Sequence, residues 1–108
     1  NIETIFSERV DGVFTLRRDF SIPKKSKVLI VEDVITTGKS SIECSKLVDK
    51  SNSTVVGYAC IIDRSNNNSI INKKIISQVC IDIPTYKENE IPDSLKKLKP
   101  TKPGSRNI

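Results

Sequence analysis

Val28-Leu29-Ile30-Val31-Glu32-Asp33-Val34-Ile35-Thr36-Thr37-Gly38-Lys39-Ser40-Ser41 is the stretch that decides the fold. Four apolar residues run into two adjacent carboxylates. A small, hydroxyl-rich turn follows, and a helix-like segment begins. The run Val28-Leu29-Ile30-Val31 does not alternate with polar residues, which predicts a strand over 27–32 buried on both faces, as in a parallel sheet. Residues 39–50 read as a helix. Ile42, Cys44, Leu47 and Val48 form its apolar stripe, with Ser41, Glu43, Lys46 and Lys50 mostly outward. Ser51-Asn52-Ser53 ends it, and 54–62 is a second apolar strand. The three segments make one β-α-β unit, a crossover that is almost always right-handed.

On the N-terminal side, residues 2–20 alternate around Asp11-Gly12, with Ile5, Phe14 and Leu16 on one face. Asp-Gly between two such runs predicts a hairpin. Ser21 to Ser26 is a connecting turn. On the C-terminal side, Asp63-Arg64-Ser65-Asn66-Asn67-Asn68 is a polar loop, 79–83 a third strand, and 91–98 a short helix with Pro92 near its start. Pro100, Pro103 and Gly104 make a non-helical tail. The fold class is therefore α/β with a mostly parallel sheet in a single domain: a hairpin over 1–20, a sheet and helix core over 27–83, and a tail over 84–108. No repeat is present.

The 108 residues allow one domain at most. Apolar content is 36%, so the core is modest. The chain has no histidine, so any proton transfer must use Asp, Glu, Lys, Tyr or Cys. The net charge of +5 suits an anionic ligand, although lysines cluster at Lys73-Lys74 and over 96–102, away from Gly38. A nucleic-acid-binding tail is disfavoured because the chain's few aromatics, Tyr58, Tyr86 and three Phe, do not interleave with these lysines. Cys44, Cys60 and Cys80 fit no zinc spacing and read as buried structural thiols of a reducing compartment. No apolar run approaches membrane-spanning length and no signal peptide is visible, so a soluble, cytoplasmic protein is expected, with neither membrane nor nucleic acid as partner.

Glu32 and Asp33 fall where a parallel strand meets its loop, the end at which open α/β sheets bind ligands. Two adjacent acids offer acceptors for the vicinal hydroxyls of a ribose. Successive backbone N–H groups over Thr36-Thr37-Gly38-Lys39-Ser40, entering a helix N-terminus, form an anion site. A plain N-cap by Thr37 or Ser40 is the simpler alternative. Two lookalikes fail. Gly38-Lys39-Ser40 imitates a P-loop, but the position that needs the first glycine is Asp33. A receiver domain, with Asp82 as acceptor, would need a different helix after the acids and a lysine closing a later strand.

The stretch closely resembles the phosphoribosyl-diphosphate (PRPP) motif of type I phosphoribosyltransferases. Phe6-Ser7-Glu8-Arg9, Asp11-Gly12 and Leu16-Arg17-Arg18-Asp19-Phe20 resemble the catalytic-loop region of the orotate phosphoribosyltransferase branch. Asp63-Arg64 resembles its orotate-binding arginine. Ile83-Pro84-Thr85-Tyr86 and Lys102-Pro103-Gly104-Ser105-Arg106 resemble its C-terminus. The resemblance covers nearly the whole chain and implies a Rossmann-like type I fold. It implies transfer of phosphoribose from PRPP to orotate, giving orotidine 5′-monophosphate and pyrophosphate, with Mg²⁺ and no direct protein ligand to the metal. By resemblance, Glu32, Asp33, Val34, Ile35, Thr36, Thr37, Gly38, Lys39 and Ser40 hold PRPP. Glu32, Asp33 and Arg9 act in catalysis, and Thr36 and Arg64 meet orotate. Arg9, Arg17 and Arg18 are the loop cations for pyrophosphate, reaching across a homodimer.

The loop lacks the histidine and lysines of the better-known branch. The family's enzymes are also roughly twice as long, so the chain reads as the C-terminal part, without the N-terminal half. The alternative is a PRPP-binding regulatory module without catalysis, against which the orotate-type arginine argues.

Overall fold

A computed structural model describes residues 2–17 and 19–99. Arg18 and the tail positions Pro100, Pro103, Gly104 and Lys102 to Arg106 lie outside the described residues. The element order is β1 (Ser7–Val10), β2 (Val13–Leu16), β3 (Lys27–Ile35), α1 (Lys39–Lys50), β4 (Thr54–Asp63), β5 (Ile75–Cys80), a 3₁₀ turn (Glu88–Glu90) and α2 (Asp93–Lys96).

β1 and β2 form the expected antiparallel hairpin, with Ser7 opposite Leu16 and Val10 opposite Val13. Its two-residue turn is Asp11-Gly12, at φ 50° and 81°. Both residues being left-handed is the requirement of a type I′ turn, whose twist matches that of the strands. Phe14 and Leu16 are half-buried, as expected of one face, whereas Ile5 precedes the strand. Phe6 packs edge-on against Phe20, with ring centroids 5.1 Å apart, which closes the base of the hairpin.

β3, β4 and β5 form a parallel sheet in that order. α1 lies against one face. Ile30, Ile35, Val48, Val55, Tyr58, Cys60 and Ile71 make the buried core, and Ile22, Val28, Ile42, Cys44 and Ile75 pack around it. The β-α-β unit and the bounds of α1 match the sequence reading. β3, however, runs three residues past Glu32, to Ile35, because its pairing with β4 continues to Ile35 opposite Asp63. The third strand is Ile75–Cys80 rather than 79–83, and the last helix is shorter, Asp93–Lys96.

Burial on both faces of β3 is corrected by the structure. Ile30 is 6% exposed, but Leu29 is 51% and Val31 69% exposed. Strand side chains alternate between faces, so Leu29 and Val31 share the face opposite α1. Ile61 on β4 and Ile76 on β5 are exposed there too. Ser41, expected to point outward, is 1% exposed, and Cys80, expected to be buried, is exposed.

The β4–β5 connection, residues 64–74, contains no helix. It returns across the α1 side of the sheet and plants Ile71 in the core. That route brings it under the Thr36–Ser40 loop. Among the described residues, no helix is long and apolar enough to cross a membrane.

Candidate functional site

Glu32, Val34, Ile35, Thr36, Thr37, Gly38, Lys39, Ser40 and Ser41 line one open cleft of about 70 Å³ at the carboxyl end of β3. Every residue predicted to hold the phosphoribosyl group is therefore gathered here, except Asp33. A larger hollow of about 290 Å³ lies between α1, the start of β4 and Asn72-Lys73, and it contains none of the predicted residues.

The two acids separate because β3 continues through them. Successive residues of a strand point to opposite faces. Glu32 turns toward α1 and accepts a hydrogen bond from the buried Ser41 hydroxyl at 3.3 Å. Asp33 points the other way, exposed, and its Oδ1 accepts from the Val34 N–H at 2.7 Å. Of the two acids expected to hold the ribose hydroxyls, Glu32 therefore lies on the cleft side of the strand and Asp33 on the opposite face.

Gly38 is the N-cap of α1, in the left-handed conformation at φ 79° and ψ 5°. No side chain caps the helix, so neither Thr37 nor Ser40 plays the N-cap role. The Thr37 hydroxyl reaches only the Lys39 N–H, at 3.4 Å. The helix also has no acidic residue in its first turn. The first N–H groups of a helix have no partner within it, and they sit at the positive end of its dipole. Here they open onto the cleft beside the hydroxyls of Thr36, Thr37 and Ser40.

The loop is held from behind. The Thr37 carbonyl accepts from the Ile70 N–H at 2.9 Å and the Ser69 hydroxyl at 3.3 Å. The Ile35 carbonyl accepts from the Arg64 N–H at 2.8 Å. A Cβ on Gly38 would sit 2.5 Å from Ser69 Oγ and 2.7 Å from Ile71 Cγ1. Only glycine fits there. The sequence reading did not include Ser41, Ser69 or Ile71. Ser41 was hidden by its place on the presumed outer face of the helix. Ser69 and Ile71 lie some thirty residues downstream of the loop they support, and no local pattern marks them.

Arg64 and Thr36 follow the last β3–β4 pair, Ile35 opposite Asp63, so the two predicted orotate contacts leave adjacent strands side by side. The Asp63 carboxylate accepts from the Ser65 N–H at 2.8 Å and shapes the turn that carries the arginine. Arg64 Nε is buried and has no hydrogen-bond partner among the described residues. A buried donor in that state calls for an acceptor.

The hairpin cations lie elsewhere. Arg9 stacks over its cross-strand neighbour Phe14, 4.2 Å from the ring centroid. It donates to the Gly12 carbonyl at 2.7 Å and pairs with Glu43 of α1. The Arg9 hydrogen bond is the main cause that holds the Glu43 carboxyl below its ordinary range. Arg17 pairs with Glu8 at 3.1 Å. Neither arginine lines the cleft, and Arg18 is outside the described residues. Burial pushes the Cys60 thiol up.

The phosphoribosyl transferase domain family matches residues 3–96. The chain is similar to the orotate phosphoribosyltransferase of Methylorubrum extorquens (strain PA1), with 47% identity over 98% of this chain and 55% of the relative. It is 42% identical to that of Parvibaculum lavamentivorans and 37% to that of Maricaulis maris, each over 99% of this chain and 55% of the relative. The chain thus spans about half the length of the curated relatives it matches. Among solved structures, adenine phosphoribosyltransferase from Leishmania donovani overlaps 77% of this chain and 43% of its own, at 25% identity and a TM-score of 0.46.

Proposed function

This chain belongs to the phosphoribosyl transferase domain family, and from that premise we propose that it carries the phosphoribosyl and orotate subsites of an orotate phosphoribosyltransferase. The reaction would join orotate N1 to C1 of PRPP as the C1–O bond to pyrophosphate breaks and the N1 proton passes to pyrophosphate or solvent, giving orotidine 5′-monophosphate. One juxtaposition carries the reading: the uncapped N-terminus of α1 opens beside Glu32, while Arg64 leaves the neighbouring strand with a buried, unpartnered donor.

In this reading Thr36 to Ser40 hold the 5-phosphate, through backbone N–H groups at a helix N-terminus and through hydroxyls. That contact anchors a remote part of the substrate and fixes the reacting geometry. Glu32 accepts from a ribose hydroxyl. Its charge stands near C1, where positive charge develops as pyrophosphate departs, and charge placed in advance is often the largest catalytic contribution. Arg64 takes the orotate carboxylate in a two-bond fork, which would give its unpartnered Nε an acceptor. Thr36 faces the base. Arg9, Arg17 and Arg18 cover the pyrophosphate of a partner subunit in a homodimer. For Arg9 this requires release from Glu43.

Mg²⁺ accompanies PRPP in the same proposal. Among the described residues no group of three or more His, Cys, Asp or Glu could hold a metal ion. This ion prefers substrate phosphates plus one or two carboxylates, and no step is assigned to this chain's residues through it. A cytoplasmic location fits the three unpaired thiols.

The test is calorimetric titration with PRPP and Mg²⁺, followed by an assay of orotate-dependent pyrophosphate release. PRPP binding is expected, together with turnover below that of a full-length relative. Absence of PRPP binding would remove the site. Turnover equal to the relative's would show that these residues need nothing from the unmatched half.

A further inference from the structure

We propose that Ser69 is a positioning residue for the phosphate loop: it holds the Thr37–Gly38 peptide so that its N–H faces the cleft. The inference deepens the anion-binding reading of Thr36 to Ser40 and rests on it. The Ser69 hydroxyl donates to the Thr37 carbonyl at 3.3 Å, and its oxygen accepts from the Ile71 N–H at 3.1 Å. The Ile70 N–H joins it on the Thr37 carbonyl at 2.9 Å.

A trans peptide is planar, and its C=O and N–H point in opposite directions. The chain contains no cis peptide among the described residues. Two donors that hold the Thr37 carbonyl from behind therefore turn the Gly38 N–H to the opposite side, toward the cleft. Gly38 alone does not enforce this. Glycine visits left-handed and right-handed regions about equally, so its own sterics permit the peptide to turn over. A reversed peptide would put the partial negative charge of the Thr37 oxygen into the cleft and remove one donor from it. Either change opposes an anion.

The buttress is itself fixed. Ile71 is 8% exposed and belongs to the core. At the other end of the segment, the Arg64 N–H is bound to the Ile35 carbonyl. The segment that carries the orotate arm thus also sets the shape of the phosphate loop. A cavity-filling role alone would not require the hydroxyl, and this separates the proposal from simple packing.

The experiment is an NMR titration of this chain with ribose 5-phosphate that follows the Gly38 amide in wild type, Ser69→Ala and Ser69→Thr. Ser69→Ala is expected to bind about tenfold more weakly, the order expected when a hydrogen bond to a charged group is lost. Its Gly38 amide should broaden by exchange between two peptide orientations even without ligand. Ser69→Thr keeps the hydroxyl and should recover most of the affinity. Undiminished affinity in Ser69→Ala with a sharp Gly38 amide would overturn the proposal. Should wild type not bind ribose 5-phosphate, the anion reading fails on its own. The amide then decides the positioning claim, broadening in Ser69→Ala sustaining it and no change refuting it. If Ser69→Ala does not fold, Ser69→Cys, close in size and a poor donor, takes its place with the same two outcomes.

Discussion

Replacing Gly38 with alanine separates two costs that glycines usually hide together. In the left-handed region an L-residue costs about 1–2 kcal/mol. Alanine returns about 0.4–1 kcal/mol by narrowing the unfolded ensemble. Both contributions apply equally to Gly12, whose φ of 81° nearly equals the 79° of Gly38. Space does not. A Cβ at Gly12 meets nothing within 4 Å, whereas at Gly38 it lies 2.5 Å from Ser69 Oγ and 2.7 and 2.9 Å from Ile71 Cγ1 and Cδ1. The Ser69 hydroxyl can rotate away only by giving up its bonds to Thr37 and Ile71, worth about 1 kcal/mol each. Ile71 is core, and overpacking a core costs about 1–3 kcal/mol. Gly12→Ala should therefore cost about 0–1.5 kcal/mol and Gly38→Ala, with the two hydrogen bonds and the core strain added, about 3–6 kcal/mol. Urea denaturation midpoints, with the slopes compared, measure both. Equal losses at the two positions would refute the claim that the 69–71 segment presses on the loop.

Three other predictions follow from named contacts. Glu32→Gln should weaken ribose 5-phosphate binding about tenfold, while Asp33→Asn, on the opposite face, should leave it nearly unchanged. Calorimetry that finds equal losses would contradict the split between the acids. The Glu43 carboxyl is held low by Arg9, so its folded value lies below its unfolded value. The pair's contribution is then full above the ordinary glutamate value of about 4.3 and is lost as pH falls through the lower folded value. The Glu43 side-chain carbon should titrate below the ordinary range and return to it in Arg9→Ala; no difference between the two proteins would refute the pairing. Lys25 sits at φ 63° with its N–H on the Asn52 carbonyl, a bond that glycine keeps. Lys25→Gly should stabilise the fold by about 0.5–1 kcal/mol, read from the urea midpoint, and a loss would contradict the strain argument.

Where the sequence reading held, a short-range rule was decisive. Asp11-Gly12 set the hairpin because its turn needs two left-handed residues. The apolar stripe and the Ser51-Asn52-Ser53 break bounded α1. Elsewhere the tertiary setting prevailed. Two adjacent acids looked like the end of a strand, yet pairing with β4 carries β3 to Ile35, because one acid meets Ser41 and the other meets solvent. The polar Ser77 and Gln78 masked β5, whose backbone still pairs with β4 from Tyr58 to Asp63. The apolar run over 28–31 gave no hint that Leu29 and Val31 would stay exposed, since which face is covered depends on what packs there. The cleft was legible because its lining is nearly continuous in sequence. Its support, Ser69 and Ile71, was not, because that support comes from a distant crossover.

The central claim is that one chain holds a ribose phosphate at the Gly38 loop and an orotate carboxylate at Arg64. Orotidine 5′-monophosphate presents both groups at once, and uridine 5′-monophosphate lacks only the carboxylate. The most direct measurement is therefore the ratio of the two dissociation constants in wild type and in Arg64→Ala. The account predicts at least about tenfold preference for the orotidine nucleotide in wild type, the scale of a charge-assisted fork, and no preference in Arg64→Ala. Equal binding of both nucleotides by wild type, or a preference that survives the loss of Arg64, would contradict it.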